Sequence, residues 1–379
     1  MDCILMHRDT EVADVSVYGT GEPEFGRVRC PEHLPPGTTT SGRADRLKLA
    51  AWWRDRAVPG TRQNIGAFLD AMGIQNVLPL LPGSMGLSLS DHYWIRPADS
   101  DAGWSDVNYF GNPFSEDIGD MMFGKGCGNG PADMRSPDLT ANGDPMKRWR
   151  IVGGERRLIK SASERSPCRQ QVFNEAVASK VMERLGIPHA EYSVIWDMGV
   201  PYSSCADLAD GGTEMVSAYQ VYSEFGKDNR SSAYDHYVVC CGRLGLDVSE
   251  DLDRMIVADY ILMNRDRHLN NFGLMRDSDT LEYISTIPVF DTGSCLGFDE
   301  PPDSIPDDMC QTCKPFAKTF DRELGLVKSL DWIDFDSLDK SVDDARRILS
   351  DRGYFDPGRA DAIVALLQQR IGMLERMSF

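Results

Sequence analysis

Long hydrophobic runs are missing from the sequence, and their absence argues against a membrane-spanning protein. No stretch approaches the roughly eighteen consecutive apolar residues that mark a transmembrane helix. The first residues, "MDCILMHRDT", reach charged side chains too early to form the core of a signal peptide. We therefore expect a soluble protein that acts in the cytoplasm.

Positive charge is also scarce. The chain has 40 lysines and arginines against 59 aspartates and glutamates, which gives a formal net charge of -19. Such a molecule repels phosphate backbones and anionic membranes, so we expect no direct binding to nucleic acid or membrane. The basic stretch at 43–57, "RADRLKLAAWWRDRA", is interpreted as a solvated helix face that pairs with the acidic remainder; docking to nucleic acid or a phosphorylated partner is the alternative.

Cysteines in paired motifs are few, although the sequence contains ten cysteines. Their scatter indicates reduced thiols rather than a disulfide framework. Cys310 and Cys313, in "CQTC", have a spacing that zinc or redox sites use, but a zinc site needs a second pair at a suitable distance. We interpret this pair as part of a solvated loop, and we place Cys240 and Cys241 on a packed helix.

The glycine fingerprint of dinucleotide-binding proteins is absent. The segment "GKGCGNGPADM", at 124–134, lacks the third glycine of that motif, and no helix opens after it. Its glycines and proline are typical of a linker. We predict an N-terminal extension at 1–123, a linker at 124–135, a strand-rich lobe with a hinge at 136–230, and a helical lobe at 231–379.

Hydrophobic periodicity predicts the elements on both sides of this linker. Before it we expect a β-hairpin within 4–30, helices within 43–57 and 61–73, and an irregular but packed segment at 78–123. After it we expect a hairpin at 148–160, a helix at 169–186, strands in "AEYSVIWD" and "EMVSAYQVY", helices at 232–245, at 249–264 and beyond 330, and short strands within 272–291. This order favours two lobes with a cleft, where the polar loop "NRDRHLNNFG" (264–273) would lie.

Several polar residues stand in an order that suits phosphoryl transfer from ATP. That reaction needs a lysine for the phosphates, oxygen ligands for Mg²⁺ and an aspartate that meets the acceptor hydroxyl. Lys160 ends a predicted strand, and Glu175 on the next helix can form an ion pair with it. Asp266 can meet the hydroxyl, while Asn271 and Asp291 can hold the metal. These same residues taken singly would pass for surface, turn or capping residues; their order favours a site.

Two further residues of the polar loop have candidate roles. His268 can accept a proton, or it can only brace the loop. Arg267 can pair with a nearby carboxylate and so fix the loop.

The motifs "DRHLNN" and "PVFDTG" carry a family resemblance. Residues 130–379 resemble the HipA-like serine/threonine kinases, whose catalytic loop Asp-Arg-His-x-x-Asn also occurs in phosphatidylinositol kinases. Asp266, Arg267, His268 and Asn271 match this loop, and Asp291 matches the second metal-binding aspartate. Lys160 matches the nucleotide-binding lysine, and Glu175 matches its partner.

The resemblance implies an α+β, two-lobed protein-kinase-like fold with an additional mixed N-terminal region. It also implies ATP and Mg²⁺ as cofactors, a protein substrate with a Ser/Thr acceptor, and a possible antitoxin or regulatory partner chain. The segment 136–149 takes the place of the loop that covers the phosphates, with Ser136 and Thr140 as candidates for nucleotide contact and autophosphorylation. Gln220 is also assigned to the nucleotide site.

Two alternatives stay open. Because lipid kinases share the loop, the acceptor can be an inositide or another small molecule. The fold can also serve as a nucleotide-binding regulatory module without turnover.

Overall fold

The computed structural model describes residues 1–125, 132–164, 166, 169–227, 229–301 and 311–377. The chain forms two compact units. The first unit consists of Met1–Lys160, Ala206–Lys227 and Leu274–Ser285, and the second unit consists of Ser161–Cys205, Asp228–Gly273 and Thr286–Phe379.

An antiparallel sheet begins the first unit. Its strands are β1 (Asp2–His7), β2 (Thr10–Val17), β3 (Pro23–Val28) and β6 (Tyr93–Pro97), in the order β3-β2-β1-β6. The β2–β3 hairpin turns at "YGTGE", which confirms the hairpin expected within 4–30. Alternate side chains such as Leu5 and Val15 are buried in the core against helix α1 (Arg46–Asp55).

The two predicted N-terminal helices are confirmed. Helix α1 begins after Asp45, whose carboxylate accepts hydrogen bonds from the backbone N–H groups of Leu47 and Lys48. Helix α2 covers Ile65–Met72, and the short strands β4 (Thr39–Thr40) and β5 (Arg43–Ala44) precede α1.

The segment at 78–123 is more regular than predicted. It contains a 3-10 helix at Leu78–Ser84, strand β6, and helices α3 (Trp104–Val107) and α4 (Asp117–Met122). Strand β6 escaped recognition because its partner is distant in sequence: Ile95 pairs with Leu5 of β1. A strand whose ladder depends on a remote partner leaves a weak local signal.

The rest of the first unit contains the predicted hairpin of β7 (Lys147–Val152) and β8 (Glu155–Lys160), with Gly153 and Gly154 at the turn. Strands β11 (Thr213–Ser217), β12 (Gly273–Asp277) and β13 (Tyr283–Thr286) form a sheet in that order. The prediction of strand throughout "EMVSAYQVY" was wrong after Ser217, where helix α6 (Ala218–Glu224) begins. Ser217 and Gln220 form a capping box, which favours a helix start.

The second unit is mainly helical. The predicted helix at 169–186 is confirmed as α5 (Gln170–Leu185), which ends at Gly186 in the left-handed conformation. The hairpin of β9 (Ser193–Asp197) and β10 (Val200–Ala206) follows. The remaining helices are α7 (Ala233–Arg243), α8 (Ser249–Leu262), α9 (Phe320–Leu324), α10 (Phe335–Leu338), α11 (Lys340–Leu349) and α12 (Pro357–Met377).

The compact units divide the chain differently from the predicted domains. Strands β7 and β8 belong to the first unit with the N-terminal extension, whereas α5 belongs to the second unit. The four predicted ranges therefore stay a prediction about functional domains. Half of the predicted linker, residues 126–131, and Cys310 of the "CQTC" pair lie outside the described residues. Cys240 and Cys241 are buried on α7, as expected. Within the described ranges, every helix is too short or too polar to cross a bilayer.

Candidate active site

The polar loop at 264–273 begins where the buried helix α8 ends. Met263 adopts a left-handed φ of 51°, and the backbone N–H of Asn264 donates to the Asp259 carbonyl at 2.9 Å. The Asn264 side chain donates to Asp259 Oδ1 at 2.7 Å and accepts from the Asp266 N–H at 3.3 Å. Asn264 thus caps the end of helix α8, and its hydrogen bonds fix the direction of the backbone at Asp266.

Arg267 is the central brace of this loop. Its side chain is fully buried, and its Nε and Nη2 donate to the two carboxylate oxygens of Asp259 at 2.8 and 2.9 Å. Its Nη1 donates to the carbonyl oxygens of Asn271, at 2.8 Å, and Phe290, at 2.6 Å. The guanidinium therefore joins α8, the loop and the residue before Asp291, and the expected pairing of Arg267 with a carboxylate is confirmed.

The charges around Arg267 keep it ionised. Burial lowers the pKa of Arg267, but the negative charges of Asp259 and Asp291 raise it, and the pKa lies above its ordinary value. Asp291 acts on the pKa of Arg267 through its charge, and the carbonyl of the preceding Phe290 accepts from Arg267 Nη1 at 2.6 Å. One buried cation thus serves both the loop and Asp291, which lies 24 residues further along the chain.

Asp266, His268 and Asn271 share a tight turn. The N–H of His268 donates to the Asp266 carbonyl at 2.9 Å, and the N–H of Asn271 donates to the His268 carbonyl at 2.8 Å. Asn271 Nδ2 also lies 3.3 Å from the Asp266 carbonyl oxygen. His268 Nδ1 accepts from the N–H of Asn270 at 3.3 Å, a contact that braces the loop. A role for His268 as proton acceptor stays a prediction.

Asp291 lies in a strained turn after residue 290. Its φ is 54°, a left-handed conformation that is uncommon for residues other than glycine and often found at functional sites. Its N–H donates to the Tyr192 hydroxyl at 3.3 Å. A Cβ at Gly293 would lie 3.3 Å from the Gln171 carbonyl oxygen and 3.4 Å from Glu175 Cγ. The turn therefore passes directly over helix α5.

Glu175 lies under this turn. Its side chain is buried, and its carboxylate accepts a hydrogen bond from the Ser203 hydroxyl of β10. The neighbouring Asn174 donates from Nδ2 to the carbonyl oxygens of Gly293, at 3.1 Å, and Cys295, at 2.6 Å. Sequence reasoning missed Asn174 and Ser203, because an amide inside a helix and a hydroxyl inside a strand carry no motif.

Four predicted nucleotide-site residues lie in the first unit. Lys160 is the buried last residue of β8, opposite Lys147, and its pairing with Glu175 stays a prediction. The Ser136 hydroxyl is fully buried and donates to Asp138 Oδ2 at 3.1 Å. Thr140 donates to the Leu87 carbonyl at 2.9 Å.

Gln220 is the fourth of these residues. Its Oε1 accepts from the Ser217 N–H at 2.9 Å in the capping box of α6. Like the Ser136 and Thr140 hydroxyls, its side chain has protein partners, so the nucleotide contacts of all three residues stay predictions.

Asp138, which sequence reasoning also missed, shapes the surroundings of Ser136. Burial raises its pKa to about 6, while the hydrogen bond from the Trp149 N–H opposes this rise. A Cβ at Gly119 would lie 2.4 Å from Asp138 Oδ2, so the carboxylate needs a glycine on α4. Ser136 and Asp138 are therefore packed inside the first unit, where Ser136 caps a short 3-10 helix at Pro137–Thr140, rather than lying on an exposed loop.

The donor set suits Mg²⁺. Asn271 and Asp291 supply an amide oxygen and a carboxylate, the hard ligands that Mg²⁺ prefers, and Arg267 ties their two segments together. Among the described residues, no group of three or more His, Cys, Asp and Glu side chains is arranged to hold a metal alone. Mg²⁺ commonly takes few protein ligands and completes its octahedron with phosphates and waters.

The chain is similar in sequence to a known protein kinase over a short segment. No protein-family model matches the chain. A curated relative, the serine/threonine-protein kinase CtkA of Helicobacter pylori strain J99, is 52% identical over 42 residues, which cover 11% of this chain and 13% of that protein. The match thus spans far less than two thirds of the relative's length.

Two solved structures are also similar. HipA, from the toxin–antitoxin complex of Shewanella oneidensis MR-1 with HipB and operator DNA, matches with a TM-score of 0.54 and 11% identity, over 99% of this chain and 97% of HipA. The crystal structure of the H. pylori proinflammatory kinase CtkA matches with a TM-score of 0.45 and 17% identity, over 61% and 94% of the two chains. The chain has the HipA-like α+β kinase fold that the sequence predicts.

Proposed function

We propose that this protein, which has a HipA-like kinase fold, is an ATP- and Mg²⁺-dependent kinase that phosphorylates serine or threonine side chains of proteins. The observation that carries the proposal is the Arg267 brace. It fixes the loop with Asp266 and Asn271 and the segment before Asp291 from one buried guanidinium. Phosphoryl transfer depends on such fixed positions more than on covalent chemistry.

Each residue has a role in this reaction. Asp266 orients the acceptor hydroxyl and takes its proton as the hydroxyl oxygen bonds to the γ-phosphorus and the bond to ADP breaks. Asn271 and Asp291 hold Mg²⁺, which neutralises the negative charge of the phosphates when it is bound. Lys160 holds the phosphates, and Glu175 orients Lys160.

A partner chain belongs to the proposal. The HipA neighbour is part of a complex with HipB and operator DNA. This chain carries a net charge of -19, which supports a division of labour in which a partner chain contacts DNA. Since ATP is the phosphate donor, we place the activity in the cytoplasm.

The first test is transfer of labelled γ-phosphate from Mg-ATP to the purified protein, with Asp266→Asn and Asp291→Asn as controls. We expect label on the wild type and a loss of about 10²- to 10⁴-fold in rate for Asp266→Asn. Mapping the label tests Ser136 and Thr140, and added cell extract and inositides distinguish protein from lipid acceptors.

Other outcomes have defined meanings. Full transfer by Asp291→Asn contradicts the metal assignment. A thermal shift with Mg-ATP but no transfer to any acceptor indicates a nucleotide-binding regulatory module, and the absence of any shift contradicts nucleotide binding.

A further inference from the structure

Lys314 contacts the proposed catalytic aspartate from a remote part of the second unit. Its Nζ lies 2.8 Å from Asp266 Oδ1, and both side chains are about half exposed, at 54% and 47%. Exposed ion pairs of this kind contribute little to stability, and many are incidental. The Lys314–Asp266 contact is therefore informative only if the surrounding residues fix the positions of both side chains.

The segment that presents Lys314, residues 311–319, is anchored at its base. An isolated β-bridge joins Thr312 to Thr319, and the Cys313 N–H donates to the Lys318 carbonyl at 3.2 Å. Below the bridge, the buried thiol of Cys313 donates to Glu323 Oε2 at 2.7 Å. The bridge and the thiol contact thus fix the conformation of this segment where it joins the rest of the second unit. We call residues 311–319 the Lys314 loop.

A buried carboxyl group supports the loop further. The N–H of Phe316 donates to Glu323 Oε1 at 3.3 Å, so both oxygens of Glu323 are used by the loop. Burial raises the pKa of Glu323 to about 7 and raises that of the Cys313 thiol as well. Glu323 thus acts as a structural acceptor.

An aromatic cluster links the Lys314 loop to the catalytic loop. The Phe316 ring lies 5.8 Å from the Phe272 ring and 5.3 Å from the Tyr234 ring, both in edge-to-face geometry. Phe272 directly follows Asn271, and Tyr234 lies on α7. The two loops that bring Lys314 and Asp266 together therefore share one packed base, while the Lys314 and Asp266 side chains are about half exposed.

We infer that Lys314 is a positioning residue for phosphoryl transfer, an inference that rests on the proposed kinase function. Its ammonium group holds Oδ1 of Asp266, which directs Oδ2 to the acceptor hydroxyl. In the transfer step the acceptor oxygen bonds to the γ-phosphorus, the bond from that phosphorus to the ADP oxygen breaks, and the hydroxyl proton goes to Asp266 Oδ2. Lys314 keeps its protons throughout and acts on the reaction through Asp266.

Three variants test the inference in the full chain. Lys314→Met keeps the length of the side chain and removes the charge, Lys314→Arg keeps the charge, and Lys318→Met is the matched control from the exposed end of the same loop. We expect Lys314→Met to lower kcat about 10- to 100-fold, with KM for ATP and the unfolding temperature unchanged. Lys314→Arg should retain most of the activity, and Lys318→Met should behave as wild type.

A double variant separates positioning from a general effect of charge. If Lys314 acts through Asp266, then Asp266→Asn with Lys314→Met is no slower than Asp266→Asn alone. Full additivity of the two losses contradicts the inference. So does wild-type kcat in Lys314→Met, or equal losses in Met and Arg variants that both unfold at lower temperature. If the wild type itself transfers no phosphate, the kinase function is refuted and the inference falls with it. If the wild type is active but Lys314→Met is unaffected, only the inference fails.

Discussion

Each of the two units contains a buried arginine that pairs with a carboxylate: Arg267 in the second unit and Arg276 in the first. The two arginines lie nine residues apart in sequence and use their hydrogen bonds differently. In the second unit, Arg267 grips Asp259 with two nitrogens and uses the third on backbone carbonyls. In the first unit, Arg276 donates to Glu214 Oε2 from Nε at 2.9 Å and from Nη2 at 2.5 Å, and to the Tyr93 hydroxyl at 2.9 Å. Arg276 thus meets side chains, whereas Arg267 also holds loop backbone.

Glu214 completes the Arg276 network. Its Oε1 lies 2.8 Å from His7 Nε2 and 3.2 Å from His92 Nδ1, and it accepts from the His92 N–H at 2.8 Å. Together with the hydrogen bond from Arg276 to Tyr93, these contacts join β1, β6, β11 and β12. An arginine–carboxylate pair can thus fasten strands together, as Arg276 does, or fix a polar loop, as Arg267 does. Under the proposed kinase function, the second pair also positions the residues that would carry the reaction.

The largest effect should come from removing either arginine. Arg267→Met and Arg276→Met each leave a buried carboxylate without its cation, and we expect losses of about 3 to 5 kcal/mol in the free energy of unfolding. Only Arg267→Met should also abolish phosphate transfer by the protein that remains folded. Urea unfolding and transfer rates corrected for the folded fraction measure both effects; equal loss of transfer in the two variants would contradict the distinction.

The next largest effect should appear in the pH dependence of the free energy of unfolding, which reports the protonation of Glu214 in the first unit. Burial raises the pKa of Glu214, but hydrogen bonds with His7 and His92 and the charge of Arg276 hold it well below the ordinary 4.5. The unfolded chain therefore binds the proton more readily, so this stabilisation is present above pH 4.5 and is lost as the pH falls through the folded-state pKa. Glu214→Gln should be less stable at neutral pH, with a shallower acid dependence in urea unfolding. An unchanged acid dependence would contradict this account.

Asp138 should show the opposite sign. Its pKa in the folded protein is raised from 3.8 to about 6, so the folded state holds the proton more tightly and stability falls as the pH rises through this range. Asp138→Asn should remove that fall, since the new amide can accept from the Trp149 N–H and donate to the Ser136 hydroxyl. Thermal unfolding of both proteins from acidic to neutral pH measures the difference, and parallel pH curves would rule out Asp138 as its origin.

The smallest effect should come from a pair of glycines. Gly293→Ala places a Cβ against α5 at 3.3–3.4 Å, so we expect a loss of about 1 kcal/mol and slower transfer through a displaced Asp291. Gly66→Ala, on α2 in the first unit, meets nothing within 4 Å and should stabilise the helix by about 0.5–1 kcal/mol. Unfolding curves and transfer rates of both variants provide the comparison. Equal effects of the two substitutions would argue against close packing at Gly293.

The sequence predicts what is local and misses what depends on distant contacts. Asp266 and Asn271 lie five residues apart on one loop, so their association was visible in the motif, as were the β7–β8 hairpin and helix α5. Lys314 comes to Asp266 across 48 residues of chain, and nothing near "CQTCKPF" indicates it. The contact between Asn174 and the Gly293 carbonyl spans an even longer stretch of chain, 119 residues.

The α6 error had a different origin. Alternating apolar residues in "EMVSAYQVY" indicated a strand, while Ser217 and Gln220 carried the competing signal of a helix cap. The cap decides the conformation because it satisfies backbone N–H groups that a strand at this point would leave to other partners.

The left-handed backbone of Asp291 determines which substitutions can report on chemistry alone. Asparagine, aspartate and glycine tolerate a φ of 54°, whereas alanine and β-branched residues do not. Asp291→Asn therefore changes the charge and keeps the geometry of the turn, but Asp291→Ala combines the loss of the proposed ligand with added backbone strain over helix α5. Among the proposed metal ligands, this position restricts replacement by shape as well as by charge, so its tolerated alternatives are set by the Ramachandran map before any ion is bound.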